Sequence, residues 1–198
     1  MARRGDAWPD RVVWAPGAFS KRAWSAERKK ERMAVATRPQ ASGAGWAVKH
    51  GVIGGAIAGI VFALAEMVGS VLMGMPFLMP FQLFASIPLG IPPMDIALGT
   101  AIPVGTVAHM LLSIIYGVVF ALAVQNIALL RTSGPATIIA ATLFGIALWF
   151  VNINVLAVPI GRPWFAMGPP IPPFIYHAIF FGPPLGLYFA GQQRFASR

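Results

Sequence analysis

The chain has 198 residues, 57% of them hydrophobic and 11% charged, with a mean hydropathy of +0.71. An average soluble domain is about 25% charged, so a soluble enzyme or a nucleic-acid-binding domain is excluded, and the composition is that of an integral membrane protein. The net charge of +9 reads as positive charge beside anionic headgroups at the cytoplasmic face, and the absence of cysteine excludes disulfides, thiolate catalysis and Cys-ligated zinc or iron–sulfur clusters.

Residues 1–49 form a basic, weakly periodic cytoplasmic tail. Residues 1–32 carry nine of the 15 basic and four of the six acidic residues, so Glu66 and Asp95 are the only acids beyond them. The run Lys21–Arg32 reads as a disordered tail or as a short interfacial helix with Trp24 in the headgroups. Met33 opens a tighter version of the chain, and translation from it would leave residues 1–32 unmade. N-terminal peptide mapping separates the two starts.

Four apolar spans follow, at about residues 51–74, 102–128, 135–158 and 173–190. Each reaches or approaches the ~20 residues that a helix needs to cross the ~30 Å hydrocarbon core. The fourth is short and contains Pro183-Pro184, which predicts a kink or tilt. Between the first two spans, residues 75–103 contain six prolines, and residues 159–173 between the last two contain six more. These loops read as rigid caps. Within the first, Phe81–Ile87 is apolar enough for an interfacial or half-inserted helix, and Asp95 is expected to cap a short helix leading into span two. Gln125 and Asn126 mark the end of span two. Ser133-Gly134-Pro135 reads as a turn with proline opening span three. Arg38 and Lys49 precede span one, Arg131 lies between spans two and three, and Arg194 and Arg198 follow span four. The other side carries only Arg162. This asymmetry places both termini in the cytoplasm and the chain in the cell membrane. Residues 193–198 form a short cytoplasmic tail.

The expected fold is therefore all-α, with four transmembrane helices in a bundle. Internal similarity divides it into two helical hairpins in a parallel repeat. Gly59-Ile60 precedes Glu66 at the spacing by which Gly145-Ile146 precedes Asn152. Gly74-Met75-Pro76-Phe77 resembles Gly161-Arg162-Pro163-Trp164. Ala108-His109 matches Tyr176-His177, and Gly117–Ala121 matches Gly186–Ala190. The interval from His177 to Gly186 is one residue longer than that from His109 to Gly117, and a bulge near Pro183-Pro184 would absorb it.

Each span contributes one buried polar residue at a similar depth in the outer half of the bilayer: Glu66, His109, Asn152 and His177. A carboxylate near the bilayer centre costs ~2.5–3.5 kcal/mol on insertion scales, so Glu66 should face the bundle and find a partner. No Lys or Arg lies in any span, which leaves His109 and His177 as its expected cationic partners. Small residues at helical spacing, Gly55 and Gly59 on span one, Gly105 and Ser113 on span two and Gly145 on span three, read as close helix-packing positions.

The cluster admits several readings. The four residues bond one another and fix the packing. His109, His177 and Glu66 ligate iron, zinc or copper. His109 and His177 ligate a haem. Or the cluster serves a proton relay or a quinone-type ligand. Met73, Met75 and Met79 read as apolar filler or soft copper ligands. His50, Trp149, Trp164 and Tyr176 fit interfacial or packing roles. No phosphate loop, dinucleotide fingerprint, nucleophile elbow or HExxH is present.

Gly51–Gly59, Pro93-Met94-Asp95-Ile96-Ala97 and Val107-Ala108-His109 resemble a family of small prokaryotic four-helix integral membrane proteins of uncharacterised activity, over about residues 48–192. The resemblance implies the topology and an intracellular N-terminus, and it carries over no activity or site residue. The function expected is that of a non-enzymatic multipass membrane protein, or an accessory subunit with a membrane-complex partner or a homo-oligomeric state. Its Glu/His/Asn cluster binds a ligand or fixes packing. The alternative is a redox or transport module using haem, metal, quinone or protons.

Overall fold

The computed structural model describes residues 43–196, and these hold helices, turns and no strand. The basic segment Lys21–Arg32, the alternative start at Met33 and Arg38 lie outside the described residues. Helix α1 spans Ala44–Leu72 and α2 spans Met79–Leu89. A 3-10 turn, Pro93–Asp95, leads to α3, Leu98–Asn126. A five-residue helix, α4, Ala128–Thr132, precedes α5, Gly134–Trp149, which continues into a π-helical segment, Phe150–Leu156. After α6, Trp164–Met167, the chain runs through α7, Ile171–Ile175, a second π segment, Tyr176–Phe181, and α8, Gly182–Ala196.

Three helices are long and apolar enough to cross a membrane: α1, α3 and α5 with its π extension, Gly134–Leu156. Helices α1 and α3 start before the apolar runs that suggested them. Helix α1 starts at Ala44, so the last six residues assigned to the tail are helical and Lys49 and His50 lie within the helix. A helix needs apolar residues only for its buried length and can begin among polar ones. At the other end α8 runs on to Ala196, past the boundary expected for the C-terminal tail.

The helices turn large apolar residues outward. Leu64 and Val68 of α1, Leu111 and Ile115 of α3 and Ile139 and Leu143 of α5 are all exposed, as hydrocarbon surroundings permit. Small residues face inward, so backbones meet. A Cβ on Gly55 would run into the Ser113 carbonyl oxygen, and one on Gly59 into the Ser113 side chain. Gly51 lies against the backbone of Val118, and Gly117 against Gly51 and Gly55. In the second half, Gly182 meets the backbone at Ala141 and Thr142, and Gly186 meets Ile138. The helices thus pair as α1 with α3 and α5 with α8. Gly105 makes a different contact from its neighbours on the stripe: it receives the backbone of α2 at Phe81.

Both π segments lie just before prolines. Pro183 and Pro184 have no N–H to give to the turn before them, and Pro159 has none for the carbonyl at Val155. The i→i+5 pattern inserts one extra residue without breaking the helix. Helices α1 and α5 close on the same turn. Gly74 and Gly161 both have φ of 73°, the left-handed region that glycine enters without a Cβ penalty. The N–H of Met75 returns to Ser70 at 2.8 Å, and that of Arg162 to Ala157 at 2.7 Å. Asp95 does not cap α3. It closes the 3-10 turn, and the N-cap is Ala97, with no side-chain bond. The α5 cap is made by Ser133, whose hydroxyl accepts from the Ala136 N–H at 3.4 Å.

Because Gly55 meets backbone and Gly99 meets nothing within 4 Å, Gly55→Ala should cost roughly 1–3 kcal/mol, the range for overpacking. Gly99→Ala should be neutral. Unfolding of the detergent-solubilised protein by SDS measures both, and equal effects would mean that close packing at Gly55 is unimportant.

Candidate functional site

A cavity of about 610 Å³ lies at the end of the molecule that carries α2 and the loop after α5, and Glu66, His109, Asn152 and His177 all line it. They arrive there from four separate helical segments. Glu66 projects from α1, one turn beyond Phe62. His109 comes from α3, Asn152 from the first π segment and His177 from the second. Met73, Met75 and Met79 line the same chamber as apolar wall.

The partners differ from those expected. His109 donates from Nε2 to the Gly59 carbonyl oxygen at 2.9 Å. His177 donates from Nδ1 to the Pro173 carbonyl oxygen at 2.7 Å. A carbonyl only accepts, so each neutral imidazole has given its one N–H to backbone and keeps a bare nitrogen. Asn152 Oδ1 accepts from the Tyr116 hydroxyl at 3.0 Å. Glu66 pairs with neither histidine. Its Oε2 is buried and has no hydrogen-bond partner. The expected Glu–His pair therefore does not form, because the backbone carbonyls of Gly59 and Pro173 take the imidazole protons first.

Aromatic rings build the wall around these groups. His109 stacks on Phe84 and Phe62, with ring centroids 4.1 and 5.4 Å away. Phe62 meets the His177 ring edge-on at 4.8 Å. Phe62 also contacts Tyr176 at 6.2 Å and Phe181 at 6.3 Å. The Tyr176 hydroxyl rests against Gly69, where no side chain holds it off. Tyr176, Met73 and Pro172 also line a shallow apolar groove on the flank, together with Val61, Leu64 and Val68.

The loop after α5 closes over α2. Arg162 donates from Nε to the Ile87 carbonyl at 2.9 Å and from Nη1 to the carbonyls of Ile160 and Gly161 at 2.9 and 3.2 Å. Its guanidinium therefore sits at the C-terminal end of α2, where the helix dipole favours a cation. Trp164 donates from Nε1 to the Ser86 hydroxyl at 2.9 Å. Both side chains line the chamber. The Gln82 amide donates to the Ile96 carbonyl at 2.8 Å and ties α2 to the approach to α3.

Sequence reasoning missed Tyr116 and gave Arg162 no contact with α2. Tyr116 lies two turns after His109 and so shares its face, a signal available in the spacing. Arg162 counted only as an orientation charge. Elsewhere, Gly145 lies against the His177 backbone carbonyl, and His50 shares a hydrogen bond with the Tyr188 hydroxyl at 2.9 Å.

A three-ligand metal centre does not fit these residues. Among the described residues no three His, Asp or Glu side chains converge as metal ligands. What the chamber offers is an unpartnered carboxyl group, two bare imidazole nitrogens and one amide, inside an aromatic wall.

Arg162 is the main tie between the loop and α2, so Arg162→Met should speed hydrogen exchange of the α2 amides by about tenfold, the equivalent of a lost charged hydrogen bond. The α5 amides should be unchanged. Unaltered α2 exchange would show that the tie carries no stability.

Comparison of the chain with protein-family models, with curated proteins and with solved structures finds no match.

Proposed function

We propose that the chain is a four-span protein of the cell membrane with both termini cytoplasmic, and that its chamber binds a ligand or protons at Glu66. On this reading His109, Asn152 and His177 chiefly hold the helices around that group. The protein acts as a binding or transport module, alone or as a subunit of a membrane complex, and not as an enzyme.

One observation carries the reading. Of the four clustered polar groups, Glu66 alone makes no hydrogen bond. A buried polar group without a partner is rare and calls for a functional explanation, all the more for an ionisable group at membrane depth. The fourth span is the helical run 171–196, whose interruption by a π segment and two prolines breaks it into shorter pieces. Such breaks are tolerated at membrane depth where the backbone lines a cavity or is buried in protein.

The two-hairpin repeat draws support from the π segments. Eight residues separate Glu66 from Gly74, and nine separate Asn152 from Gly161. Eight separate His109 from Gly117, and nine separate His177 from Gly186. Each helix of the second half is one residue longer over the matched interval, and each contains one π segment there. A π segment accommodates one inserted residue. The paired glycine turns at Gly74 and Gly161 fall at matching ends.

A purely structural cluster is the competing reading, favoured by the backbone bonds of both histidines. Stability separates the two. Glu66 has no bond to lose, so Glu66→Gln should unfold in SDS within about 1 kcal/mol of the natural protein. His109→Ala loses a packed ring and a cross-helix bond and should cost about 2–4 kcal/mol. Infrared difference spectra across a pH jump should show a carboxyl band that Glu66→Gln removes. A Glu66→Gln variant as unstable as His109→Ala, with no such band in the natural protein, would establish the structural reading instead.

A further inference from the structure

The chamber's polar groups are poorly matched to one another, and the mismatch specifies a ligand. Groups that can bear charge face Glu66 from each wall: His109 and Tyr116 from α3, Arg162 from the loop after α5, and Tyr176 and His177 from the second π segment. Helix α2 contributes no titratable side chain. Both imidazoles give an N–H to backbone and neither bonds Glu66. The Tyr116 hydroxyl is given to Asn152. Arg162 gives Nε and Nη1 to three backbone carbonyls. Among the described residues no cation hydrogen-bonds Glu66, which leaves its carboxyl group open to a proton or to a bound cation.

The wall decides what kind of cation. Metal ions lack a three-ligand set among the described residues. Aromatic rings line the same chamber as Glu66: Phe62 one turn before it in the chain, Tyr176 beside Gly69 at the next turn, and Phe181 in contact with Phe62. Ring faces attract a cation that has shed its water, and organic cations shed it most readily. The cavity, at about 610 Å³, lies within the ordinary range for small-molecule sites.

We infer that the chamber binds one lipophilic organic cation, such as a tertiary or quaternary amine or a phosphonium, at Glu66 among these rings, in competition with a proton on the same carboxylate. The inference rests on Glu66 being the binding group of the chamber.

Equilibrium binding to the full chain in nanodiscs, with empty nanodiscs as baseline, tests it with tetraphenylphosphonium and its anionic isostere tetraphenylborate. The phosphonium should bind saturably, one per chain, and the borate should not. Glu66→Gln should weaken phosphonium binding by about tenfold or more, and Phe62→Leu by severalfold. Glu66→Asp keeps the charge and should keep much of the binding, which controls for folding. Affinity should fall as pH is lowered from 8 to 5, and this dependence should vanish in Glu66→Gln. Equal binding of the borate, or undiminished binding by Glu66→Gln, would overturn the inference. A pH dependence that persists in Glu66→Gln belongs to a histidine and would overturn competition at Glu66. Binding of neutral triphenylphosphine oxide without the phosphonium would also overturn the cation, while leaving a ligand chamber in place. If neither compound binds, the cation inference falls, and the infrared band of Glu66 separately decides whether it exchanges protons.

Discussion

Backbone carbonyls without partners are the constraint from which this structure follows. Hydrocarbon supplies no water to satisfy them, and this chain breaks its helices often, with six prolines in each of its two long loops and two π segments. Its polar side chains are spent on repair. Arg162 reaches Ile87, Gln82 reaches Ile96 and Thr137 reaches Leu130, while His109 and His177 add a second donor to the Gly59 and Pro173 carbonyls, which the helical backbone already bonds. All of these are donors. A carboxylate has no proton to donate and can repair no carbonyl, so Glu66 is left over by chemistry.

Packing places that residue in open space. Away from the chamber, glycine sets the contacts: Gly51, Gly55 and Gly117 in one pair of helices, Gly182 and Gly186 in the other. There backbones touch. Toward α2 the inward positions pass to Phe62, Phe84, Phe181 and Tyr116, whose rings meet one another and the histidines at 4 to 6.5 Å. Flat rings meeting edge-on fill space less completely than backbone on backbone. Helix α2, seated on Gly105 and tied down by Arg162 and Trp164, covers the volume that remains.

Much of this was legible in the sequence. Long apolar runs announced the membrane helices, and the scarcity of charge singled out Glu66. Pairing was not legible. An imidazole that bonds a backbone carbonyl leaves no complementary side chain to find, so pairing Glu66 with His109 or His177 by charge was reasonable and wrong. The role of Asp95 failed for a related reason. A capping residue is recognised by type, but the position of the helix start is decided by the turn, and here the 3-10 turn puts Ala97 at that point. Element ends shifted because apolarity measures buried length, whereas α1 begins in polar sequence at Ala44. The single-residue differences in spacing were visible, and their cause was not, since a π segment has no composition of its own.

The two halves differ where chemistry would be decided. On the proposed repeat, Asn152 stands where Glu66 stands in the first hairpin. Two carboxylates in one chamber would repel each other, and one would stay protonated. Asparagine is neutral and accepts the Tyr116 hydroxyl instead, which removes the second charge without leaving an orphaned group. On that repeat the chamber holds a single carboxyl group, with the Arg162 guanidinium also in its lining. On the inferred binding at Glu66, that asymmetry gives the chamber one occupant at a time, because a proton and a cation compete for one carboxyl group.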